Sequence, residues 1–331
     1  MDQGLRLYTS NRMENLAEAL SRRLEDPLPS PLEQEIIVVQ SVGMERWLRM
    51  QLARQHGVCA NVQFPFPNAF LRDISEKVLK SHPDKAFDPP VMTWRIFDVF
   101  GTAINRSGYE SVAAYLARKK GDLARYQLAA TIADLFDQYL IFRTDMIASW
   151  ENGNHDHWQA LLWSELADTA TPRHRATLHR QLIETFDRGK KFPPNMLPHR
   201  VSVFGISTLP PFHLQVFSAL SKNTEVNLFL LNPCREYWGE IVSKRQKEAY
   251  VKKRGKPQGQ EKLLHLEEGN SLLASLGTLG RDFFSLVTDL EHQEVHSFED
   301  PQGTTLLQMI QSDILNLRDR TSEIREKEPL C

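Results

Sequence analysis

The sequence predicts an α/β fold, a parallel sheet flanked by helices with an all-helical subdomain inserted into it, and three observations predict it. Residues 36–39 (IIVV) form a β-branched run without polar interruption, the pattern of a strand buried on both faces of a parallel sheet. Such runs are followed by helical spacing, and they return late in the chain at residues 201–206 (VSVFGI) and 226–231 (VNLFLL). Between about residues 76 and 196 they vanish and helical spacing takes over. This divides the chain into an α/β domain, 1–75 together with 197–331, and an inserted helical subdomain, 76–196.

Composition narrows the function classes. With 331 residues, 41% of them apolar, the chain can bury a sizeable core. Forty Lys and Arg against 42 Asp and Glu leave no global field to draw it to nucleic acid or acidic lipid, so such binding must come from local patches. Cys59, Cys234 and Cys331 lack the spacing of a disulfide framework or a zinc site. The N-terminal MDQGLRLYTS has no apolar core of a signal peptide, and no run is long enough to cross a bilayer. A protein of the reducing cytoplasm, without membrane, metal or cofactor, is expected.

The chain opens with a strand at residues 5–8, a polar turn and helical spacing at Met13, Leu16, Ala17 and Leu20; Asn11 with Glu14 suggests a capping box. A phosphate-binding loop would sit in this turn. It needs glycines, so that backbone N–H groups can wrap phosphates, and a Lys followed by Ser or Thr. The turn is TSNR, so ATP hydrolysis is not expected. The central stretch EIIVVQSVGMERWLR comes next, a strand turning at residues 40–43 into a helix with Met44, Trp47, Leu48 and Leu52 on one face and Arg46 and Arg49 on another. A sheet's carboxyl edge would carry Gln40, Ser41 and Arg46 together, and open α/β sheets bind ligands at that edge.

In NVQFPFPNAFLRDI, residues 61–74, two prolines deny backbone donors, so the segment is an edge strand or an extended loop. Its Phe64, Phe66 and Phe70 either offer faces to nucleobases or fill the core. The clearest helix of the insertion spans residues 123–142, with Leu128, Ile132, Leu135, Tyr139 and Phe142 as its expected buried face. Asp134, Asp137 and Gln138 share another face, suited to base edges or simply to solvent. His155, Asp156 and His157 are too crowded for a metal motif, and Arg173, Arg175 and Arg180 are phosphate contacts or solubility.

Past residue 196, Pro210 and Pro211 open a helix. A hydrolysing ATPase would carry an acidic pair at a neighbouring strand end, where Phe204, Gly205 and Ile206 stand instead. Residues 243–262 hold eight Lys or Arg against two Glu, a nucleic-acid patch or a basic loop, and two helices close the chain at about 272–290 and 304–317.

The segments LYTSNRMENL, IIVVQSVGMERWLRMQLA, FPFPNAFLRDI, ADLFDQYLIFR, VFGISTLPPFHLQ, NPCREYWGEI, LLASLGTLGRDF and MIQSDIL, in order through nearly the whole chain, strongly resemble the N-terminal third of the RecC family, the gamma subunits of exodeoxyribonuclease V. The resemblance implies a helicase-like, P-loop-NTPase-like domain of superfamily 1 whose ATPase motifs are lost. It implies a non-catalytic part that lines a channel for unwound single-stranded DNA and examines the strand for a Chi sequence. RecB-like and RecD-like subunits would be partners, in DNA repair and recombination. Full-length members are longer, so a shortened product is expected.

By position, the resemblance places strand-examining roles on Gln40, Val42, Arg46, Phe66, Arg72, Asp134, Leu135, Asp137, Gln138, Arg143 and Arg175. It moves the Asp134 face and Arg46 from solvated to functional. Two positions depart from the family: Val42 replaces a hydroxyl, losing a hydrogen bond, and Arg72 replaces an aromatic, adding charge where it could stack. Strand binding is expected to survive these changes, with an altered sequence preference. The alternative is a subunit-assembly domain with no DNA binding of its own.

Overall fold

The computed structural model describes residues 4–102, 106–119, 121–154, 157–167, 173–189, 192–193, 196–242, 267–301 and 305–318. The chain forms two compact units. The first comprises Met1–Phe70, Leu197–Leu209 and Leu220–Cys331, the second Leu71–Met196 and Pro210–Ala219.

In the first unit β1 (Gly4–Ser10), β2 (Glu35–Val38), β3 (Val62–Gln63), β4 (Arg200–Phe204), β5 (Glu225–Leu231) and β8 (Gln293–His296) form a six-stranded sheet in the order β3-β2-β4-β5-β1-β8, while β6 (Ile241–Val242) and β7 (Glu267–Glu268) pair as a separate two-stranded sheet. Each recorded pairing is parallel. The register sets Ile37 beside Ser202, Val203 beside Leu228 and Leu7 beside Leu228. The central strands are buried almost throughout, which is why their sequences read as apolar runs rather than alternating ones. The edge strand β8, QEVH, is exposed along its length and carries no such signal. Helices α1 (Met13–Leu24) and α2 (Val42–His56) seat Leu16, Leu20, Leu48 and Leu52 against Ile37, Val39, Phe204 and Phe229. Tyr8 stacks on Phe229 at 4.5 Å between ring centres.

The amino edge of the sheet is an ion network that the sequence did not announce. Arg23 grips Glu225 through both oxygens, at 2.6 and 2.5 Å, and Asn227 donates to the same carboxylate at 2.7 Å. Burial alone would raise the Glu225 carboxyl, but Arg23 and Asn227 outweigh it and hold it below its usual range. Arg200, 3% exposed, pairs with Glu35 and donates to the carbonyls of Arg23 and Asp26 at 2.6 and 3.0 Å. A buried guanidinium satisfied on this many sides is tolerable where an unpaired one is not.

At the other edge, the turn after β1 differs from its expected capping box. The N-cap of α1 is Arg12, with no side-chain cap. Asn11 instead donates to the Glu299 carbonyl at 2.8 Å and accepts from its N–H at 2.9 Å, a two-point bond to distant backbone that displaces the local one. Ser10 donates to the Ser297 carbonyl at 2.7 Å, and Arg12 pairs with Glu299 at 3.2 Å.

The second unit is helical. It contains the rest of α3 (Pro67–Leu79), α4 (Pro89–Thr102), α5 (Glu110–Arg118), α6 (Asp122–Phe142), α7 (Thr144–Glu151), α8 (Trp158–Leu166), α9 (Arg175–Asp187) and nearly all of α10 (Pro211–Leu220). Phe100, Phe136, Trp163 and Leu140 anchor its core, and the buried His174 meets Glu151 at 2.5 Å. The buried face of α6 is Ala129, Ile132, Ala133, Phe136 and Leu140, rotated from the expected stripe. Leu128, Leu135 and Tyr139 are half-buried and Phe142 is exposed. The alanines let neighbouring helices approach closely, so the largest side chains do not mark the centre of contact.

Near the C-terminus the single helix expected at 272–290 is two, Ser271–Leu276 and Thr278–Thr288, divided at Gly277, where a Cβ would meet the Leu273 carbonyl oxygen at 2.5 Å. A last helix, Leu306–Leu315, carries a complete capping box from Thr305 and Gln308. The basic segment 243–262, His155, Asp156 and Cys331 lie outside the described residues. No helix among the described residues is long and apolar enough to cross a membrane.

Candidate nucleic-acid interface

Because the strands are parallel, their carboxyl ends share one edge, and four of the candidate residues gather there. Gln40 follows β2 and is exposed. Ser41 is the N-cap of α2, its hydroxyl accepting from the Met44 N–H at 3.1 Å. The helix therefore begins at Val42, two residues earlier than the apolar stripe suggests. Val42 is 51% exposed, and the neighbouring Ser41 hydroxyl is engaged by the cap rather than offered in its place. One turn on, Arg46 is exposed and makes no ion pair or hydrogen bond among the described residues. The Val39 N–H donates to the Pro65 carbonyl at 3.1 Å, which brings Phe66 beside this turn.

The three phenylalanines of the FPFP stretch divide between the two readings. Phe70 is buried. Phe64 is half-buried with the Arg49 guanidinium 4.6 Å over its ring. Phe66, immediately before α3, is 44% exposed. The extended piece is short: β3 is a two-residue edge strand, and α3 begins at Pro67, a residue preorganised for a first helical position.

At the end of β4 the backbone turns at Gly205, φ +62°, and a Cβ there would lie 3.0 Å from the Met44 side chain. The side chains of Met13, from α1, and Met44, from α2, thus lie against the Gly205 backbone at this strand end.

The remaining candidates belong to the helical unit. Asp134 and Gln138 are exposed on α6, with Leu135 and Asp137 half-buried beside them. Arg143, exposed, is both the C-cap of α6 and the N-cap of α7, its N–H bonding the Tyr139 carbonyl at 2.9 Å. Arg72 is exposed on α3. Arg175, the first residue of α9, is ion-paired to Asp137, so these two candidates satisfy each other. Burial raises the Asp137 carboxyl; Arg175 opposes the shift, Asp134 and Asp88 add to it, and the net direction is upward. No group of three or more His, Cys, Asp or Glu among the described residues could hold a metal ion.

The family model for the N-terminal domain of RecC matches residues 5–317. The chain belongs to the RecC family. It is 37% identical to RecBCD enzyme subunit RecC of Escherichia coli, over 96% of this chain and 31% of that protein. With the RecC subunit of Haemophilus influenzae the identity is 31%, over 97% of this chain and 34% of the relative. With that of Mycolicibacterium smegmatis it is 29%, over 94% and 28%. The chain spans about a third of the length of these RecC relatives.

Proposed function

We propose that this chain is the non-catalytic, N-terminal DNA-binding and scaffold part of an exodeoxyribonuclease V gamma subunit, working with RecB-like and RecD-like subunits in double-strand break repair and recombination in the cytoplasm. In this reading residues 1–75 with 197–331 are a helicase-like domain without a working P-loop, and 76–196 are its inserted subdomain. Single-stranded DNA passes over the carboxyl edge of the sheet and is examined for a Chi-like sequence. Arg46, Arg143 and Arg175 meet phosphates or bases, Phe66 and Arg72 stack, and Gln40, Val42, Asp134, Leu135, Asp137 and Gln138 face base edges.

The observation that carries the reading is the grouping of exposed Gln40, Val42, Arg46 and Phe66 at one sheet edge in a RecC-family chain. A cation without a partner among the described residues, on the same sheet edge as an exposed aromatic, suits a phosphate next to an unstacked base. The TSNR turn supports the absence of nucleotide hydrolysis, since Ser10, Asn11 and Arg12 are tied to residues 297–299.

The test is fluorescence anisotropy of a labelled single-stranded oligonucleotide titrated with this chain at low and moderate salt. Binding should weaken steeply with salt, and Arg46→Ala should lower affinity and reduce the log–log slope by about 0.7, one phosphate contact on a single strand. Absence of binding at low salt would defeat the proposal. It would favour a second reading, a pure assembly domain, for which the mutual pairing of Asp137 and Arg175 speaks, since neither then offers its full charge to DNA.

A further inference from the structure

A cavity of about 190 Å³ opens in the first unit where β1 and β5 end and β8 runs beside β1. Leu7 forms part of its lining, with Phe284 from the helix Thr278–Thr288, Tyr237 and Phe298 as aromatic walls. The Tyr237 and Phe284 ring centres are 6.0 Å apart, and Phe298 stacks on His296 at 5.8 Å. Clefts for drug-sized ligands measure about 300–1,000 Å³, so this one suits a single flat ring system.

The polar lining selects among rings. Asn232 is 4% exposed, and its side-chain oxygen accepts from the Cys234 N–H at 3.2 Å and the Trp238 indole N–H at 2.9 Å. Those two bonds fix which end of the amide is which. The NH2 end has no partner among the described residues and Asn232 lines the cavity, so a buried donor there lacks an acceptor. Thr9, also buried, supplies the opposite. Glu294 accepts from His296 Nε2 at 3.0 Å, which leaves Nδ1 as the acceptor of the neutral ring, and the Thr9 hydroxyl donates to it at 2.7 Å. The Thr9 oxygen therefore meets any further group only as an acceptor. The Glu236 carboxylate lines the cavity too and makes no ion pair or hydrogen bond among the described residues, whereas Arg235 is held by Asp300 at 3.3 Å.

Acceptors thus outnumber donors, a hydroxyl oxygen and a free carboxylate against one amide NH2 group. A complementary ring is rich in donors and carries one acceptor beside them. Among nucleobases the Watson–Crick edge of guanine has that pattern, O6 accepting while N1–H and N2–H2 donate. Adenine, cytosine and thymine each offer fewer donors on that edge. A guanidinium has the donors but leaves the Asn232 NH2 group without an acceptor.

We propose that this cavity is a guanine-binding site, in which Asn232 donates to O6, Glu236 accepts from N1–H and N2–H2, and the aromatic walls enclose the ring. The site is separate from the strand track proposed above and does not depend on it. The neighbouring TSNR turn lacks the glycines that would wrap phosphates, so recognition is of the base, free as a nucleoside or carried by DNA.

The experiment titrates the 331-residue chain with guanosine, inosine, adenosine, cytidine and N-acetylarginine amide, read by saturation-transfer NMR and isothermal calorimetry. Glu236→Gln, Asn232→Asp and Tyr237→Ala are compared with wild type after circular dichroism has shown matching melts. Expected is saturable guanosine binding, about 10-fold tighter than that of inosine, which lacks the 2-amino group, with adenosine and cytidine unbound. Glu236→Gln should erase the preference for guanosine over inosine, and Asn232→Asp should lose both, because an acceptor then meets O6. Tyr237→Ala should weaken guanosine about 5-fold or more. Equal affinity for the four nucleosides, no guanosine binding, or tighter binding of N-acetylarginine amide would each overturn the site. If Asn232→Asp fails to fold, Glu236→Gln at its exposed position still decides. Oligothymidylates with and without one deoxyguanosine then compete with guanosine. Displacement by the guanine-bearing strand alone upholds the site with a DNA base as its ligand, displacement by neither upholds it with the free nucleoside, and displacement by both overturns it. A chain that binds guanosine but no DNA would defeat the proposed function and leave this site standing.

Discussion

His179 and His213 are buried in the helical unit with their rings 6.4 Å apart, and the Nδ1 atom of each is buried without a hydrogen-bond partner among the described residues. Burial pushes His179 down to about 3 and His213 to about 4, the neighbouring Arg175 adding to both. Both rings are therefore neutral when folded, while in the unfolded chain they take up protons as pH falls through about 6.5. Folding thus binds fewer protons than unfolding does, and stability drops as pH decreases from about 6.5 towards 4. Between pH 7 and pH 5 the helical unit should lose roughly 2 kcal/mol or more, and His179→Leu should flatten the dependence. Denaturant titrations at a series of pH values check this; an unchanged slope in the variant would locate the protons elsewhere.

Among the elements, α6 shows how far a sequence speaks for a site. Its extent was legible, 123–142 against an observed Asp122–Phe142. The exposure of Asp134 and Gln138 follows from their spacing, but the centre of the buried face does not, because Ala129 and Ala133 contribute close approach rather than bulk. The Asp137–Arg175 pair joins α6 to α9, and no local pattern encodes a partner 38 residues away. Arg175→Ala should raise the Asp137 carboxyl further, since burial and the acidic neighbours would then act unopposed. A carboxyl-carbon NMR titration reads this, and a stationary Asp137 would mean that the pair is not coupled in solution. The same limit explains the turn after β1: Asn11 and Glu14 satisfy the capping pattern, yet a two-point bond to Glu299 prevails. β8 was missed because a solvated edge strand needs neither apolar alternation nor β-branched bulk. At the sheet edge, Gln40 and Arg46 were legible from the strand-to-helix transition alone. Val42, Leu135 and Arg72 carry no chemical signal for DNA of their own, and only the family resemblance gave them strand-examining roles.

For the molecule as a whole, the helical unit is not a contiguous piece of chain, because nearly all of α10 belongs to it. The Phe212 and His179 rings lie 4.4 Å apart, tilted by 34°, and Leu214, Val216 and Phe217 on α10 are fully buried. A fragment of residues 71–196 should therefore melt less cooperatively than one in which 210–219 is fused back by a linker, by near-ultraviolet circular dichroism and differential scanning calorimetry. Equal, sharp transitions would show that α10 is dispensable to the unit.

The parallel sheet has a consequence for the order in which the protein can be made. β1 precedes the other strands of its sheet along the chain, yet it pairs with β5, more than 200 residues later, and with β8 near residue 295. The hydrogen bonds from Ser10 and Asn11 await Ser297 and Glu299. During synthesis the first strand thus waits without its neighbours while the helical unit, complete once α10 has emerged, can already pack. The exposed edges of a half-made sheet invite pairing with other nascent chains, so early folding of the helical unit would keep the growing polypeptide compact until β8 arrives.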